Sequence, residues 1–68
     1  MAIDRLSRAR AILRILVDTY GIPVETIAAR MDIAGAKVSG WRAGRRPPAR
    51  EQLERLEELL LSGERLRG

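Results

Sequence analysis

The chain has 68 residues, 46% of them apolar, and contains neither cysteine nor histidine. That is the length of one domain, and the missing residue types exclude disulfides, thiolate zinc sites and histidine catalysis. The formal net charge is +4, no segment reaches the roughly 20 apolar residues of a membrane span, and the N-terminus lacks the pattern of a secretory leader.

The first helix is expected over about residues 3–20. Leu6, Ala9, Leu13, Leu16, Val17 and Tyr20 recur there at helical spacing. Asp4 suits the positive end of the helix dipole, and Gly21 suits its termination. Pro23 fits the first turn of a second helix over about 23–31, with Ile27, Ala28 and Met31 facing inward. Asp32, Ile33 and Ala34 form the following turn. A third helix is expected over about 35–43, ending at Gly44, with Pro47 and Pro48 blocking its continuation. A fourth covers about 50–62, with Leu53, Leu56 and Leu60 as its core stripe and Gly63 as its end. The tail, 64–68, is expected to fray. The fold class is therefore all-α, with four to five helices and a helix-turn-helix at about 23–43.

A chain this small buries only about 60% of the surface its unfolded form exposes. With disulfides and metals excluded, a second subunit is the remaining common stabiliser, so a homodimer is expected. Apolar residues outside the stripes mark its candidate interface. Leu59, Leu61 and Leu66 lie on helix 4 and the tail, and Ile12 and Ile15 lie on the far side of helix 1.

Charge divides the chain into three parts. Residues 1–34 carry a net +1, residues 35–50 a net +5 with no acid, and residues 51–68 a net −2. The middle part holds Lys37, Arg42, Arg45, Arg46 and Arg50. A concentration of cations around a short helix is what a polyanion backbone selects for. Two helices joined by a turn of about three residues can present the second to a DNA major groove.

The span from Gly21 to Leu60 resembles the lambda-repressor/Cro-like helix-turn-helix family, also called the XRE family. The resemblance rests on Ile27-Ala28, then Ile33, Val38, Ser39, Trp41 and Gly44, the ending Gly44-Arg45-Arg46-Pro47-Pro48 and the leucine-spaced helix after it. It implies a small residue at Ala28 for close helix packing, with Ile33 and Val38 plugging the core beneath the turn. It also implies base-facing positions at Gly35, Ala36, Lys37 and Gly40. Four positions depart from the family pattern. Pro23 and Val24 stand where Ser or Thr and then Gln are usual. Asp32 replaces the usual turn Gly and tolerates the left-handed conformation better than most residues. Ala34 replaces the usual Ser cap of helix 3, a loss of about 0.5–2 kcal/mol.

On that template Ala36 meets a thymine methyl and Lys37 donates to guanine O6 and N7 or to a phosphate. Arg42, Arg45, Arg46, Arg50 and Ser39 are expected mainly on phosphates. Gly35 and Gly40 in so short a helix weaken it by roughly 1 kcal/mol each relative to Ala, which suggests close approach of the helix backbone to DNA. Trp41 shares the Val38 face and belongs to the core, while Arg5, Arg8, Arg10 and Arg14 are spread around helix 1 as solvated surface, with one or two of them near the DNA backbone. Glu51, Glu54, Glu57 and Glu58 are expected to pair locally with Arg50 and Arg55.

The expected function is a dimeric, cytoplasmic, sequence-specific regulator of double-stranded DNA, an autorepressor on an inverted repeat, of the kind found in phages, plasmids and other mobile elements. No enzymatic activity, cofactor, metal, small-molecule ligand or membrane partner is expected. The alternative is a helical protein-interaction module, antitoxin-like or polymerase-binding, that presents the same basic face to an acidic partner.

Overall fold

The computed structural model describes residues 4–67, with side chains from Asp4 to Gly63. Helix α1 spans Arg5–Arg14 and runs into a π-helical segment, Ile15–Thr19. Helices α2, α3 and α4 span Val24–Met31, Gly35–Ala43 and Arg50–Arg67. The protein is all-α, with no strand among the described residues.

Helix α1 starts because Asp4 is extended and its carboxylate accepts from the Ser7 amide at 2.7 Å. That bond satisfies one of the orphan donors of the first turn. The Ser7 amide also holds the Asp4 carboxyl below its ordinary value, since it favours the charged form. Beyond Arg14 the continuous α-helix expected to residue 20 gives way to a wider turn. The Tyr20 amide donates five residues back, to Ile15 O at 3.0 Å, and the Ile22 amide donates to Leu16 O at 2.9 Å. Gly21, at φ 69°, then releases the chain.

Helices α2 and α3 end in the same way. Asp32 takes the left-handed conformation (φ 57°, ψ 46°), and Ile33 donates back to Ala28 O at 3.0 Å. Gly44 is left-handed at φ 80°, and Arg45 donates back to Gly40 O at 2.9 Å. Both are Schellman endings, in which the residue after the left-handed one closes the last turn. Pro23 lies just outside α2 as its N-cap, so the helix begins one residue after the expected start, and Ala34 caps α3 with no side-chain hydrogen bond. Helix α4 opens with half of a capping box: the Ala49 amide donates to Gln52 Oε1 at 2.9 Å.

One buried cluster joins all four helices: Ala9, Ile12, Leu13, Leu16, Ile27, Ala28, Met31, Val38, Trp41 and Leu56. Ile33, Leu53 and Leu60 pack against it half-buried. Pro48, expected only as a helix stop, is fully buried as well. Each fully buried Leu or Ile contributes about 1.5–3 kcal/mol of transfer free energy. Two contacts fix α4: Arg8 pairs with Glu57 across α1 and α4, and Arg55 Nη1 donates to Met31 O at 3.2 Å. The second covers a carbonyl of the α2 C-terminus. Glu57 and Arg55 thus serve tertiary contacts, where local pairing along the helix was expected.

Two further expectations are corrected. Helix α4 does not stop at residue 62. It continues through Gly63, which is buried; a Cβ there would sit 2.7 Å from Tyr20 Cδ2. The glycine is a close-approach site for the Tyr20 ring and not a terminator. Ile12 is 4% exposed and belongs to the core, not to a dimer patch. Helix α1 packs against both α3 and α4, so its apolar face is wider than a single stripe.

Candidate nucleic-acid interface

Helix α3 has a buried side and an exposed side, with its two glycines between them. Val38 and Trp41 point inward and are buried, Trp41 to 3% exposure. Gly35 and Gly40 are half-buried, and Ala36, Lys37, Ser39, Arg42 and Ala43 are exposed. The division follows from helical spacing, because positions three apart share a face. Of the four residues expected to face bases, Ala36 and Lys37 are exposed, whereas Gly35 and Gly40 are half-buried and Gly35 lies three residues from the inward Val38.

A Cβ placed on Gly35 or on Gly40 meets nothing within 4 Å. Neither glycine is required by packing inside the chain, in contrast to Gly63. Gly40 is interior to α3, where glycine is roughly 1 kcal/mol less favourable than Ala. The fold gives that position no return for this loss.

The cations gather at the C-terminal end of α3. Arg42 lies in its last turn, and Arg45 and Arg46 are exposed in the loop after Gly44. Arg50, exposed, opens α4 at the far end of that loop. Cations in this position also favour the negative end of the helix dipole. Arg42 faces Asp18 of the π-helical segment, with Nη2 3.8 Å from Oδ1; the two side chains are 48% and 57% exposed. So exposed a pair contributes little.

The structure adds a group that the sequence pattern did not single out. Arg10 of α1 reaches the end of α3: a Cβ on Gly44 would lie 3.4 Å from Arg10 Nη1. Arg10, Arg14 and Arg42, with Ser7, Ala11 and Asp18, line an open hollow of about 660 Å³. The spacing of residues 7, 10/11, 14 and 18 along one helical stripe was the available signal, but it was masked by the even scatter of Arg5, Arg8, Arg10 and Arg14 along the sequence.

The expected dimer residues separate. Leu61 is 56% exposed and Ile15 37% exposed. Leu59 is half-buried against the core. Leu66 lies outside the described side chains. Among the described residues no helix is long and apolar enough to cross a membrane. No family model, curated protein or solved structure matches the chain.

Proposed function

We propose that the protein is a sequence-specific double-stranded-DNA-binding regulator of the lambda-repressor/Cro-like type, with α2 and α3 acting as a helix-turn-helix. The supporting observation is the outward face of α3. It combines two glycines whose space is open, a small apolar residue and a lysine, and it is flanked by Arg42, Arg45 and Arg46. Small residues let the helix backbone approach base edges, and the flanking arginines neutralise phosphates. The protein acts as a homodimer on an inverted repeat, with recognition helices in major grooves about 10 bp apart. The bound dimer blocks polymerase access, and repression follows from occupancy.

The test is fluorescence anisotropy with a duplex from upstream of the protein's own gene and a scrambled duplex, across a series of salt concentrations. Salt-sensitive binding that prefers the upstream duplex by about a thousandfold supports autorepression. Absence of binding to either duplex at low salt defeats the proposal and leaves the basic face to an acidic protein partner.

A further inference from the structure

Arg10, Arg14 and Arg42 come from two different helices, yet they line one hollow. In the free chain these three cations face a single carboxylate there, that of Asp18. The Asp18–Arg42 separation of 3.8 Å is too long for a good charge-assisted hydrogen bond, which falls near 2.7–2.9 Å. So the hollow keeps a surplus of guanidinium donors, arranged in a concave surface and open to solvent. Arg10 also lies against Gly44, which places this hollow directly beside the loop that carries Arg45 and Arg46. The cationic surface is continuous from that loop, across the end of α3, onto α1.

We infer that this hollow is a phosphate-binding site and that it holds a backbone phosphate of the same duplex contacted by α3. The inference rests on the DNA-binding reading above. Arg14 and Arg42 donate to the phosphate oxygens, and Arg10 braces the end of α3 while adding a third positive charge. Asp18 is a built-in competitor: its carboxylate, 3.8 Å from Arg42, is the one negative charge among the residues lining the hollow and repels an entering phosphate. It therefore weakens contact with any duplex and leaves discrimination to the outward face of α3.

Two arms test this. In the first, inorganic phosphate is titrated into the ¹⁵N-labelled protein at constant ionic strength, and the arginine Nε–Hε resonances are followed. Arg10, Arg14 and Arg42 should shift together while Arg5 and Arg30 stay in place. In the second, duplex affinity is measured against salt for Arg14→Ala and Asp18→Asn. Both residues are exposed, and thermal melts establish that the variants fold. Arg14→Ala should lower affinity about three- to tenfold on target and scrambled duplexes alike and reduce the salt slope by about one. Asp18→Asn should tighten both duplexes. If neither variant changes affinity or slope while Lys37→Ala still weakens binding, the hollow is not a phosphate site and the DNA-binding reading stands. If phosphate shifts the three arginines but no duplex binds, the duplex assignment is overturned and the hollow belongs to a free phosphate.

Discussion

Lys37 and Arg45 are both exposed cations, but their positions assign them different work. Lys37 is exposed on α3, and on the proposed reading it meets base edges. Arg45 follows the Gly44 ending and lies off the helix. Lys37→Ala should weaken target binding and relax preference at one base position, whereas Arg45→Ala should weaken all duplexes equally and lower the salt slope by about one. Anisotropy on a set of single-base target variants separates the two patterns; identical profiles for both variants would refute the assignment. Asp4 allows a test of stability. Its folded pKa lies below the unfolded value of 3.8, so its contribution is complete well above that pH and is lost as pH falls through the folded value. Thermal melts at pH 7 and pH 2 should show a smaller acid loss for Asp4→Ala than for the parent chain. The left-handed Asp32 was legible through the resemblance, which puts a turn glycine at that position, and the inward Trp41 through its spacing from Val38. Arg55 and Glu57 were not, because their partners Met31 and Arg8 are distant in the chain and helical spacing offers nearer ones.

Among the elements, the glycines differ most. Gly40→Ala should stabilise the fold by about 1 kcal/mol, since its Cβ enters open space. The same change should weaken duplex binding if the α3 backbone approaches DNA. A melt and a titration on one variant then show stability and affinity moving in opposite directions; unchanged affinity would remove the close-approach role. Gly63→Ala should destabilise despite its better helix propensity, because the new methyl collides with the Tyr20 ring and overpacking costs about 1–3 kcal/mol. The double variant Gly63→Ala/Tyr20→Leu should recover part of that loss. The sequence placed all four helices but misjudged the α4 end. Glycine after a leucine stripe is the ordinary sign of termination, and only the approach of Tyr20 from another element shows its other use. The π-helical segment was hidden for a related reason: the apolar residues on either side of it still fall at near-helical spacing, so a turn one residue wider leaves the pattern nearly unchanged.

At the scale of the whole molecule, core and surface separate two residues that the sequence had grouped as dimer contacts. Ile12→Ala should cost about 2–5 kcal/mol. That is a large part of the roughly 3–10 kcal/mol available to a chain of this length, so the variant should be substantially unfolded by 37 °C. Leu61→Glu, at an exposed position, should leave the isolated fold within about 0.5 kcal/mol and shift the proposed dimer to monomer in sedimentation equilibrium. An unaltered association state would move the dimer surface away from this side of α4. The distribution of charge also orients the molecule. The basic segment 35–50 and the acidic residues Glu51, Glu54 and Glu58 of α4 adjoin in sequence, and those three acids are exposed. A polyanion is attracted to the first and repelled by the second.

The wide turn at Ile15–Thr19 also makes the chain sensitive to length in a way that its composition does not reveal. It holds one more residue than an α turn would, so removing one residue between Arg14 and Gly21 would let it close into regular α geometry with the flanking residues keeping nearly the same orientation. Adding a residue there finds no such slack, and everything beyond the insertion would rotate by about 100° around the helix axis. Tyr20 would leave its seat on Gly63, and Asp18 would turn away from Arg42. The stretch is therefore expected to tolerate the loss of a residue better than the gain of one.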